Sequence, residues 1–168
     1  MLASVPNIEA ITQPNAAYCF VSASHRFKLP PESLLSLAMV EGGKTGMKSL
    51  NTNGSLDLGI MQVNTVWLKS ASPLSPYINI SLLANDICTN IHTAAWILAS
   101  NVTKSRGDLW RAVGMYHHPS NERAAQQYIQ KVNMKLPMAR EVMRTYPEYR
   151  QALSVFYKVN EIRTPIQP

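Results

Sequence analysis

No run of 18 apolar residues occurs in this 168-residue chain, so nothing in it is expected to span a membrane. The opening Met1-Leu2-Ala3-Ser4-Val5-Pro6 has neither a basic n-region nor an apolar h-region. No signal peptide is therefore visible in this chain. Cysteine is scarce, with Cys19 and Cys88 the only two. Repeats and low-complexity tracts are absent. The pair His117-His118 has no ligand set around it, so no metal site is expected. The basic excess of +6 comes without a recognised nucleic-acid reader motif, so direct nucleic-acid binding is not expected.

What is present is enough apolar material for one good core, 46% of the residues, which makes one main domain the default. The patterns are helical. Asn15 is placed to N-cap a helix through about Phe27, ended by Lys28-Leu29-Pro30-Pro31. Ile87, Ile91, Ala94, Ala95 and Leu98 recur at helical spacing in a segment long enough for a central core helix. Gly107-Asp108 opens the next, with Trp110, Val113 and His117 along one side. Ala124, Ala125, Tyr128, Ile129 and Val132 mark another. Ser72-Pro73-Leu74-Ser75-Pro76 reads as a loop.

One carboxylate stands out. In Pro31–Glu41 the residues Leu34, Ala38 and Glu41 fall on one stripe of a helix, so Glu41 points where the core should be. Desolvation raises a carboxylate's pKa, and the negative end of the helix dipole acts in the same direction. A glutamic acid that keeps its proton near neutral pH is what a general acid requires. Gly42-Gly43 supply a helix C-cap. Asn53-Gly54 then reads as a two-residue hairpin turn, followed by Gly59-Ile60-Met61-Gln62-Val63-Asn64 leading into another helix.

The Glu41 helix end, the hairpin with Asp57 and Gly59, the run Met61-Gln62-Val63-Asn64 and the later Tyr116 together resemble the lysozyme superfamily. They are most similar to the small soluble lytic transglycosylases that accompany secretion, conjugation and type IV pilus machines. The likeness runs from about Tyr18 to about Tyr128, and its specific part is Glu41 to Trp67. It implies a mainly α, lysozyme-like fold with a small β-hairpin next to the catalytic helix. The expected lysozyme-like domain is 1–137, with a core from about residue 14.

The resemblance also implies a chemistry. The substrate would be peptidoglycan glycan strands, cut at the β-1,4 bond between N-acetylmuramic acid and N-acetylglucosamine. Glu41 would be the acid and then the base, with no metal or cofactor. Tyr116 matches the tyrosine that hydrogen-bonds and orients the glutamate, a plain core tyrosine being the alternative. Met61, Gln62 and Asn64 fall at the substrate-binding positions. Gln62 either contacts a substrate N-acetyl group or caps the helix starting near Asn64, while Met61 suits a cleft wall or core. Asp57 lies where animal-type lysozymes place their second carboxylate. It would stabilise positive charge at C1, hold the hairpin, or make the protein a two-carboxylate hydrolase. An inactive glycan-binding or docking protein is a further alternative.

The related proteins carry cysteines at points similar to Cys19 and Cys88. That implies a disulfide and an oxidising periplasm, where the bland alternative is two unrelated buried thiols. Beyond Pro137 the resemblance fades. Residues 138–168 read as a basic extension, with two short amphipathic helices broken at Pro147 and a frayed tail at 164–168. Residues 101–168 hold eleven basic and five acidic side chains, whereas 1–100 are balanced at five each. A solvated basic face accounts for this, or a surface that attracts an anionic polymer or a component of a parent machine.

Overall fold

The computed structural model describes residues 5–69 and 72–157, and the expected tail at 164–168 lies outside them. The chain runs through α1 (Ile8–Ile11), α2 (Pro14–Phe27) and α3 (Pro31–Glu41), then strands β1 (Lys48–Leu50), β2 (Leu56–Leu58) and β3 (Val63–Asn64). A 3-10 helix (Thr65–Leu68), α4 (Ile80–Asn85), α5 (Ile87–Lys104), α6 (Leu109–His117), α7 (Glu122–Thr145) and α8 (Pro147–Phe156) follow. This is the expected mainly helical fold with a small sheet.

α3 is the hub. Leu34, Leu35, Leu37, Ala38 and Met39 are all buried, the signature of a helix covered on several sides. α7 packs along it, and α1 and α2 also touch it. α5 forms a second axis between α2, α4 and α6, burying Ile91, Ala94, Ala95 and Leu98. The Cys19–Cys88 disulfide joins α2 to α5, with Cα atoms 5.2 Å apart.

Several local details differ from the sequence reading. α2 starts at Pro14, whose ring suits the first helical position, and the Asn15 side chain only accepts from the Ala16 N–H at 2.9 Å. The hairpin loop has three residues rather than two. Gly54 N–H donates to Asn51 O, Asn51 N–H donates to Ser55 O, and Gly54 takes φ +81°, a turn closed by a left-handed residue. A third strand adds to the hairpin, pairing Asp57 with Asn64 and Leu58 with Val63. The helix expected near Asn64 is one 3-10 turn, capped by the Asn64 side chain accepting from Val66 N–H.

Pro137 lies inside α7 instead of ending a helix. Proline removes a helical donor, yet Val132, Leu136, Ala139 and Met143 continue one buried stripe across it. The residues from Met138 to Thr145 are thus the end of α7, and only the break at Pro147 follows the expected pattern.

Candidate active site

Glu41 is the last residue of α3. Gly42 takes φ +66° and returns its N–H to Ala38 O at 3.0 Å, the left-handed exit that glycine permits. Gly43 then passes so close to the Gly59 and Ile60 carbonyls that a Cβ there would collide with them. These two glycines bring the end of α3 directly against the segment that follows β2.

Burial raises Glu41 from the ordinary carboxylate range to about 7, and the negative charge of Asp57 adds to the rise. A hydrogen bond from the Tyr128 hydroxyl acts in the opposite direction. Tyr128 is 4% exposed, and burial pushes its own phenol well above the usual range, followed by the charge of Glu41. It therefore remains a protonated donor. The His117 ring covers it at 4.8 Å between centroids, and burial followed by His118 holds the His117 imidazole below its usual range.

Tyr128 takes the place expected for Tyr116. The Tyr116 hydroxyl donates to Met61 O at 3.0 Å instead, bracing the loop after β2. It is still close enough for the charges of Glu41 and Asp57, after burial, to push its phenol well upward. Both tyrosines come from helices packed on one another, α6 and α7, so one spatial site draws on two turns that sequence spacing does not separate.

Asp57 sits mid-strand in β2, gripped on both oxygens. Asn51 Nδ2 donates to Oδ2 at 2.9 Å and Asn64 Nδ2 to Oδ1 at 2.7 Å. Asn64 Nδ2 also donates to Ser55 Oγ at 2.9 Å. Both Asn64 amide hydrogens are thereby engaged within the sheet. Met61 is 0% exposed, so of its expected settings it occupies core. Gln62 adopts φ +48°, uncommon for a residue other than glycine. Its side chain supports that bend, with Nε2 donating to Gly59 O at 2.8 Å and Oε1 accepting from Ser49 Oγ at 2.8 Å.

Asn90, which the periodicity of α5 does not single out, holds this wing to the core. It is buried, and its Nδ2 donates to Leu58 O and Leu83 O while its Oδ1 accepts from Met61 N–H, each at 2.8 Å. A polar residue in an apolar helical stripe is the only sequence signal for it. Among the described residues no group of three or more His, Cys, Asp or Glu side chains is arranged to hold a metal.

The arrangement places one acid near its neutral point beside a fixed carboxylate. The family model of the transglycosylase SLT domain matches residues 18–138. Invasion protein IagB of Salmonella typhimurium is 32% identical over 120 residues, covering 69% of this chain and 73% of that protein. Protein IpgF of Shigella flexneri is 28% identical over 131 residues, covering 77% and 80%. The extent of that match, spanning both Glu41 and Tyr128, shows that the chain belongs to the transglycosylase SLT domain family of lytic transglycosylases.

Proposed function

We propose that the protein cleaves the β-1,4 bond between N-acetylmuramic acid and N-acetylglucosamine and closes a 1,6-anhydro ring, with Glu41 making both proton transfers. The observation that carries this is the placement of Glu41 at the end of α3 with the Tyr128 hydroxyl donating to it, a setting whose burial raises its pKa to about 7. An acid near its neutral point can donate a proton and then take one back. Glu41 protonates the glycosidic oxygen as its bond to C1 breaks. The resulting carboxylate removes the proton of the muramic C6 hydroxyl as O6 bonds to C1. No water is consumed, and Glu41 ends protonated as it began.

Asp57 supplies a fixed negative charge for the positive C1 of the transition state. Its grip by Asn51 and Asn64 suits that role better than a nucleophile's. Gln62 Nε2 spends one hydrogen on Gly59 O and retains a second for a substrate N-acetyl oxygen. Tyr116, Met61 and Asn64 keep the substrate-facing wing in place. The work is local opening of the cell wall in the periplasm for a secretion, conjugation or pilus machine. The disulfide and the relative named an invasion protein support that setting. Residues 138–168 supply the contact with the machine.

One specific observation favours a second reading, a muramidase using Glu41 and Asp57: the Asp57 charge reaches Glu41. Mass spectrometry of muropeptides released from purified peptidoglycan decides between them. The parent should yield anhydro-muropeptides and Glu41→Gln none. Reducing-end products lost in Asp57→Asn would establish the hydrolase. Glycan binding without turnover by the parent would make it a docking protein.

A further inference from the structure

Asn7 occupies the N-cap of α1, where an asparagine side chain ordinarily accepts from an amide one turn on. It makes no such bond. Although 1% exposed, it leaves Oδ1 buried without a partner among the described residues, an arrangement that costs stability. The side chain is committed elsewhere: Nδ2 donates to Ala38 O at 3.0 Å and to Gly43 O at 3.1 Å.

Those two acceptors bracket Glu41. Ala38 O is also the carbonyl that receives the Gly42 N–H and closes α3, and Pro6 packs against Gly42. Asn7 belongs to a segment outside the family match at 18–138. That segment is anchored independently, by Val5 and Ile11 in the core and by the buried Tyr149 hydroxyl donating to Ile11 O at 2.7 Å.

We propose that Asn7 is a positioning residue for Glu41, its amide clasping the chain on both sides of that carboxylate and fixing the end of α3 toward Tyr128. This rests on the reading of Glu41 as the acid. One primary amide offers two donors from a single neutral group, which neither a serine hydroxyl nor an ionised aspartate can do. Without the clasp the last turn of α3 frays, water reaches Glu41, and the burial that raises its pKa weakens.

The test uses the full chain with Asn7→Ser, which can cap α1 in the ordinary way but provides no second donor. Ile11→Val serves as a control that trims the same segment without touching its bonds to α3. In Asn7→Ser, exchange of the Gly42 amide should accelerate about tenfold and kcat on peptidoglycan fall about tenfold, with KM little changed. The Glu41 titration midpoint, read by carbon NMR, should fall by about one pH unit, and the alkaline limb of the rate profile should follow it. Ile11→Val should lower Tm and move none of these. If Asn7→Ser behaves like Ile11→Val, or changes KM alone, the inference is overturned. If the parent releases no muropeptides, the proposed function falls, while the exchange and titration still decide the role of Asn7.

Discussion

At the scale of single residues the site turns on opposed influences on Glu41. Burial and the Asp57 charge raise its pKa, while the Tyr128 hydrogen bond lowers it. Tyr128→Phe removes the stabilisation of the carboxylate form, so Glu41 should titrate above about 7. The alkaline limb of kcat should move to higher pH, opposite to the shift expected for Asn7→Ser. The carboxylate also loses an orienting hydrogen bond, so kcat at its optimum should drop roughly tenfold to a hundredfold. A pH–rate profile of the purified variant checks both, and an unmoved limb would show that the Tyr128 hydrogen bond does not set the protonation of Glu41. Glu41 was readable because its helix stripe and the glycines after it are local. The choice of Tyr128 over Tyr116 was not, since both are tyrosines on apolar helix faces and only the packing of α7 on α3, with α6 lying against α7, decides which hydroxyl reaches the carboxylate.

At the scale of elements the small sheet is too short to stand alone, so its position depends on the helices. Asn90 fastens it from α5, with three hydrogen bonds to backbone groups of the wing and of α4. Asn90→Ala would leave two carbonyls and one N–H without their partner in a buried setting. A loss of roughly 3 kcal/mol or more is expected in urea unfolding, together with faster exchange of the Met61 amide. A change below about 0.5 kcal/mol would show that water replaces the asparagine. The third strand and the three-residue loop escaped the sequence reading for related reasons. Val63-Asn64 is too short to show alternation, and the dipeptide Asn53-Gly54 suits both loop lengths. The continuity of α7 through Pro137 likewise depends on burial of Leu136, Ala139 and Met143 against other helices, which outweighs one lost backbone bond.

At the scale of the whole molecule the two ends of the described chain meet around the core. The Tyr149 hydroxyl of α8 reaches Ile11 O at the end of α1, and α8 packs along α2. The disulfide spans 69 residues, and closing such a loop contributes about 4 kcal/mol in the chain-entropy account. Ending the chain at Pro137 would remove Ala139, Val142, Met143, Tyr149 and Ala152, all buried. The shortened protein is expected to lose cooperative thermal unfolding. A truncated chain that keeps the parent's Tm would instead place the catalytic domain boundary at Pro137 and leave 138–168 as an appendage. Part of the basic excess of residues 101–168 lies on exposed positions of α7, including Arg123, Lys131, Arg140 and Arg144. Among the described residues Arg140 meets Glu32 at 3.6 Å and the exposed Arg144 meets Glu141 at 2.8 Å, and such exposed pairs contribute little.

The sequence by itself determined the helices α2, α3, α5 and α6, the acid at the end of α3, its glycine exit and the presence of a hairpin, because each depends on neighbours within one or two turns of chain. Periodicity, caps and turn residues encode those directly. Only the tertiary structure decided which tyrosine touches Glu41, that Asn51 and Asn64 hold Asp57, and that Asn7 and Asn90 fasten the two sides of the site. A side-chain amide carries no periodic signal, and its partner is set by how distant helices cross. In a low-dielectric interior those crossings also determine the pKa of the acid.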